Sequence, residues 1–223
     1  MINNYIEICT DASIRKFPND RIFGCAGALS ISTGEQEFLI SQDTTNNRSE
    51  LLAVYLGVKL GKKIMDNNPN VYDGIIIYSD SQFAICGLTK WMDGWIKTKD
   101  SNGIIYGSNG SYVKNQELFM CILSYMVANN LKITFRHCSG HVRYNSPKML
   151  EKANKVFFKY NGFYLRPEEI YKISYYNDIV DRSTRAKLEY IDPDLYPAMD
   201  YSNNYKSMTR YVVPDNYKEY IGV

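Results

Sequence analysis

Thr44-Thr45-Asn46-Asn47-Arg48-Ser49-Glu50 runs directly into Leu51-Leu52-Ala53-Val54, a polar turn followed by an apolar rhythm. Leu51, Val54, Tyr55 and Val58 recur at helical spacing, as do Leu52, Tyr55 and Leu56. A helix is therefore expected from Arg48 to about Lys62-Lys63, with Asn67-Asn68-Pro69 as its stop. Asn47 suits the N-cap. Glu50, three residues on, suits the acid that reaches back in a capping box. That reading makes Glu50 structural.

Two further acids lie where strands end. Upstream, Tyr5 to Thr10 is a short β-type run that ends in Asp11-Ala12-Ser13. Ile22 to Ser32 and Glu37 to Ser41 flank the turn Thr33-Gly34-Glu35 and read as a hairpin. Downstream, Gly74-Ile75-Ile76-Ile77-Tyr78 is a continuous apolar run, the mark of a central strand covered on both faces. It ends in Ser79-Asp80-Ser81, with a helix expected from Gln82. Asp11 could form an Asx-turn and Asp80 could cap that helix. Open α/β sheets, however, place their sites in the crevice outside the strand ends. If the first and central strands are neighbours, Asp11, Asp80 and Glu50 converge there. Three packed carboxylates repel unless cations neutralise them, and oxygen-only ligands suit Mg²⁺ or Mn²⁺.

The rest of the chain alternates in the same way. Trp91-Met92-Asp93-Gly94-Trp95 opens a short helical piece, and Asp100 to Ser111 is a loop rich in Gly, Asn and Ser. Asn115 to Val127 is amphipathic, and Leu131 to Arg136 is the last strand before His137-Cys138-Ser139-Gly140-His141. This alternation indicates an α/β fold whose sheet is largely parallel after an initial hairpin. Between 143 and 174, Ser146-Pro147 starts a helix that Asn161-Gly162 stops. Lys148, Lys152, Lys155 and Lys159 share one face of it, either as a solvated surface or as a track for phosphates. A second helix begins near Pro167-Glu168-Glu169 and continues, or restarts, through Asn177–Asp181 to Leu188. From Ile191 the chain is Tyr, Asn, Asp and Pro without a period.

Composition sets the limits. The chain has 223 residues, 45% apolar content and a net charge of +2, so any basic surface must be local. Five scattered cysteines without CxxC spacing point to a reducing compartment rather than a disulfide framework. The first residues lack a signal-peptide pattern, and no apolar run is long enough to span a bilayer. The expectation is a cytoplasmic protein with no membrane association.

In order, Thr-Asp11-Ala-Ser, Thr-Thr-Asn-Asn-Arg-Ser-Glu50-Leu, Tyr-Ser-Asp80-Ser-Gln82, Ser-Gly-His141 and Asn177-Asp-Ile-Val-Asp181 resemble the type 1 ribonuclease H family. The resemblance covers residues 5–141 nearly continuously and then about 176–189. It implies a ribonuclease H-like fold. The sheet would be five-stranded and mixed, its first three strands antiparallel and the rest parallel, with flanking helices and an inserted helical segment. It divides the chain into a domain over 1–189, with the insert at 143–174, and a Tyr-rich extension over 190–223.

The resemblance also implies the chemistry. The protein would be a metal-dependent endonuclease cleaving the RNA strand of RNA–DNA hybrids, leaving 5′-phosphate and 3′-hydroxyl ends. Asp11, Glu50, Asp80 and Asp181 would hold two Mg²⁺ ions, for which Mn²⁺ would substitute, and His141 would handle protons or product release. Asn46, Asn47 and Gln82 match residues that contact the hybrid's minor groove, where 2′-hydroxyls distinguish RNA from DNA. Thr45, Trp91, Trp95 and Asn115 match positions around the DNA strand and the basic handle. That handle is thin here, with only Lys97 and Lys99 before a neutral loop. Asp181 stands apart because the insert separates it from His141; a solvated pair with Arg185, like Asp178 with Arg182, is its other reading. The alternatives for the whole protein are a non-catalytic hybrid-binding module, or a same-fold nuclease for other nucleic-acid structures. The Tyr-rich extension could also dock a replication or reverse-transcription partner.

Overall fold

The computed structural model describes residues 4–18, 20–101, 103–195 and 216–222. Strands β1 (Tyr5–Lys16), β2 (Ile22–Ser30) and β3 (Gln36–Gln42) form an antiparallel meander. Helix α1 (Asn46–Asn67) then leads to β4 (Gly74–Ser79), which pairs parallel with β1. α2 (Gln82–Cys86), a π-helical turn (Gly87–Trp91) and α3 (Met92–Ile96) follow, then α4 (Gln116–Ala128). β5 (Ile133–His137) pairs parallel with β4, and α5 (Pro147–Asn161) and α6 (Pro167–Glu189) follow it. A two-residue strand, β6 (Ile221–Gly222), closes the sheet in the order β3-β2-β1-β4-β5-β6.

The expected α/β architecture and mixed sheet are therefore present, but with six strands rather than five. β6 pairs parallel with Ile133 and Thr134. Two residues are too few to show period-2 alternation, and their partners lie far away in the chain, so no local pattern marks them. The turn before β6 is anchored by Tyr217, buried in the main core, whose hydroxyl donates to Asp93. Lys218 adds an ion pair to the same carboxylate at 2.6 Å. Residues 216–222 thus pack against the sheet and the main core. Residues 196–215, on which most of the expected docking role falls, lie outside the described residues.

Strand parity sorts the core into two layers. Ile6, Ile8, Ile75 and Ile77 face α1 and α4, whereas Cys9, Ile76 and Tyr78 face α5 and α6. Asp11 shares the parity of Cys9, so its side chain belongs to the α6 side. α5 is held by Ala153 and the fully buried Phe157; burial of such a phenylalanine contributes about 1.5–3 kcal/mol. α6 is one uninterrupted helix. Its C-terminal half is drawn onto the meander by Ser13 Oγ–Thr184 Oγ1 at 2.9 Å and by Arg15 donating to the Leu188 carbonyl at 3.1 Å. A Cβ on Gly27 would lie 2.7 Å from Thr184 Cγ2, so only glycine lets the helix come this close.

No described helix is long and apolar enough to cross a membrane. All five cysteines are free.

Candidate active site

Each of the three acids has lost its expected structural duty. α1 starts at Asn46, and its N-cap is Thr45, whose side chain accepts from the Arg48 amide at 3.3 Å. Asn47 is therefore inside the first turn, and Glu50 is not a capping-box acid. It turns inward and is 6% exposed. α2 is capped by Ser81, which accepts from the Ala84 amide at 3.2 Å, so Asp80 is not the cap. Asp11 lies in mid-strand rather than at a strand end. It sits one residue beyond the last β1–β4 pair, Thr10 with Ser79, while β1 continues beside β2 alone. One Asp11 oxygen accepts from the Ala12 amide at 2.8 Å.

These acids meet. Asp11, Glu50 and Asp80 each place a carboxylate oxygen within 4.8 Å of the other two. Asp11 Oδ2 and Glu50 Oε2 are buried and have no hydrogen-bond partner. Burial and the neighbouring carboxylates, Asp80 first, push Asp11 up to about 8. Burial, then Asp11 and Asp80, push Glu50 up to about 10, and burial raises Asp80 as well. Orphaned buried oxygens held at mutually repulsive distance are costly unless something cationic satisfies them. The donor set is all oxygen, which fits hard divalent cations.

Asp181 reaches the same groove from α6. It is 5% exposed and lines the cavity with Asp11, Glu50, Asp80 and His141. The two readings of Asp181 coexist, because Arg185 grips its carboxylate from one helical turn on, with Nε–Oδ1 at 2.9 Å. The parallel pair Asp178–Arg182 forms at 2.8 Å. His141 is largely exposed and has a left-handed backbone, φ 50°. Its Nδ1 is 3.2 Å from Asp181 Oδ2 and 3.2 Å from Arg185 Nη2. A guanidinium only donates, so a neutral Nδ1 accepts from Arg185, whereas a protonated one donates to Asp181.

Asn46, Asn47, Gln82 and Trp91 also line this groove, with Ser81 and Phe83. Thr45, Trp95 and Asn115 do not line it. Thr45 caps α1 and Trp95 packs edge-on against Phe119 at 5.4 Å. Asn115 accepts from Arg48 at 3.3 Å, and Arg48 also pairs with Glu117, so the helix start is tied to α4.

Sequence reasoning passed over Gly140 as a functional position. A Cβ there would lie 1.8 Å from Asp80 Oδ2 and 2.8 Å from its Cγ, so the bare backbone is what leaves Asp80 its place. The signal was present as the glycine beside His141.

An acidic centre where the parallel strands stop pairing, fed by α1 and α6, belongs to the ribonuclease H-like α/β fold class. The RNase H family model matches residues 3–155, more than half of the chain. Ribonuclease H of Hahella chejuensis is 31% identical over 137 residues, which cover 61% of this chain and 81% of that one. Ribonuclease H of Blochmanniella floridana is 38% identical over 93 residues, 41% of this chain and about half (50%) of the relative's length. A crystal structure described as a type 1 RNase H with the type 2 active-site motif aligns over 88% of this chain and 92% of that one, at 16% identity. Its TM-score of 0.45 is too low to bear on the site. The chain belongs to the type 1 ribonuclease H family. Asp181 lies beyond the matched residues, so its place in the site rests on geometry.

Proposed function

We propose that the protein is an endonuclease that hydrolyses the RNA strand of RNA–DNA hybrids, using two Mg²⁺ ions and leaving 5′-phosphate and 3′-hydroxyl ends. The observation that carries this reading is the gathering of Asp11, Glu50 and Asp80 within 4.8 Å, with two buried oxygens lacking partners. Family membership and the ribonuclease H name of its relatives support the substrate.

Asp11, Glu50, Asp80 and Asp181 would hold the ions. Such a pair would supply an activated water and charge to stabilise the leaving oxygen of a phosphodiester. The chain's own residues do the rest. Asp11 and Glu50 must shed protons to ligate, which the cations' charge favours. Asn46, Asn47 and Gln82 offer amide donors and acceptors along the groove, suited to 2′-hydroxyls and base edges in a wide minor groove. His141, poised between Arg185 and Asp181, can take a proton and hand it on as products leave. Residues 1–189 are the nuclease body in this reading, with 143–174 inserted and 190–223 an extension whose last residues rejoin the sheet.

The test is cleavage of a hybrid carrying a label on the RNA strand, with Mg²⁺, by wild type and Asp80→Asn. Wild type should release 5′-phosphorylated fragments, and the variant should lose about a thousandfold in rate. Product that forms equally without the Asp80 carboxylate would sink the assignment.

A further inference from the structure

We propose that the inserted helix α5 is a phosphate-binding track that extends the active-site groove along the sugar–phosphate backbone of the hybrid, in place of the thin handle at Lys97 and Lys99. This inference rests on the hybrid-cleaving reading given above.

Three observations place the track. First, Lys152 does not merely face solvent. It lines one groove, of about 380 Å³, together with Asp80, His137 and His141, so this part of α5 borders the reacting centre. Second, Lys159 lies two turns further along the same helix face, about 10 Å at 1.5 Å per residue. A cation from another element reaches the next residue, Lys90 Nζ donating to the Tyr160 carbonyl at 3.3 Å. Lys159 Nζ is 5.3 Å and Lys90 Nζ 5.6 Å from the centre of the Tyr160 ring. Lys90 comes from the π-helical turn that also supplies Trp91 to the active-site groove. Third, among the described residues Lys148, Lys152, Lys159 and Lys90 have no carboxylate partner, whereas Lys155 is engaged by Glu151 at 2.6 Å. Ammonium groups that lack carboxylate partners are open to a polyanion's phosphates.

His137 marks the inner edge of the track. Its ring stacks 4.2 Å from Tyr160, it is 93% buried (7% exposed), and its Nδ1 has no hydrogen-bond partner. Lys90 and Lys159 both lie near enough to act on its ring electrostatically. A duplex carries one phosphate per 3.4 Å of axis on each strand, so a 10 Å row of ammoniums spans about three. The Lys152–Lys159 row and the carboxylate centre would then read one continuous strand.

The experiment compares hybrid binding over a range of salt concentrations for two triple variants in an Asp80→Asn background, where cleavage is silenced. One variant is Lys148→Gln, Lys152→Gln, Lys159→Gln. The other removes the same charge from the far end of α1 through Lys59→Gln, Lys62→Gln and Lys63→Gln. The α5 variant should lower the slope of log K against log salt by about two to three, at about 0.9 per phosphate contact, and weaken binding about tenfold or more near 0.1 M salt. The α1 variant should keep the parental slope. If both slopes match the parent, or both fall equally, the track is wrong. Should the wild-type chain cleave hybrids while the α5 slope stays unchanged, the track alone fails and the activity stands. If wild type neither binds nor cleaves hybrid, both fall.

Discussion

At the scale of single residues, the site depends on what its neighbours decline to do. Thr45 and Ser81 take the caps that Glu50 and Asp80 could have filled, and this frees both carboxylates for the groove. Gly140 contributes by lacking a side chain. Gly140→Ala should move Asp80 and cut hybrid cleavage at least a hundredfold, and it should weaken Mn²⁺ binding measured by calorimetry. A variant with near-normal rate and affinity would show that Asp80 has room to spare. The capping assignment has its own check in thermal melts. Thr45→Ala should cost about 1 kcal/mol. Asn47→Ala, inside the first turn, should be close to neutral for stability. The reverse order would return the cap to Asn47. The three acids themselves were legible because acids that follow apolar β-type runs or open a helix fall where an open sheet places its site, even though Asp11 proved to lie just past the end of parallel pairing inside a longer strand. The free cap was not legible, since Thr45, Asn46 and Asn47 are all acceptable caps by composition.

At the scale of elements, long periodic segments were readable and short or solitary ones were not. α1, α4 and the apolar β4 announced themselves through apolar periodicity or continuity. β6 did not, because two residues with a partner in another part of the chain leave no local trace. Its attachment is nevertheless substantial. Tyr217→Ala should cost about 3 kcal/mol, in the range for emptying a buried aromatic site. Tyr217→Phe keeps the ring, loses only the hydrogen bond to Asp93, and should cost about 1 kcal/mol. Urea unfolding of both variants separates packing from hydrogen bonding; equal losses would mean that the ring itself is not packed. α6 shows the same division. Its two helical stretches were visible, but that they are one continuous helix was decided by contacts with β1 and β2 through Ser13, Arg15 and Gly27.

For the whole molecule, the acidic centre couples folding to pH and to cations. Asp11 is raised to about 8 and Glu50 to about 10, above their ordinary values. The folded state therefore holds protons that the unfolded chain has released. Their contribution to stability is full below about pH 4, the ordinary carboxylate range, and is lost as pH rises through these raised values. In a chelating buffer the melting temperature should fall between pH 6 and pH 9. Mg²⁺ should raise it, and more at pH 9 than at pH 6, because ligation needs the deprotonated acids. A melting temperature that is flat with pH and indifferent to Mg²⁺ would mean that these acids are not a cation centre.

The amino-acid order alone determined the α/β alternation, the hairpin-then-parallel sheet and the family, because periodicity and short ordered motifs are properties of neighbouring residues. Only the tertiary structure decided that Asp181 serves both Arg185 and the acidic groove, that Gly140 must be bare, that Lys152 borders Asp80, and that the chain's end supplies a sixth strand. Each of these is a distance between residues remote in sequence. Such distances are set by how α5, α6 and the C-terminal turn pack on the sheet, which no local pattern encodes.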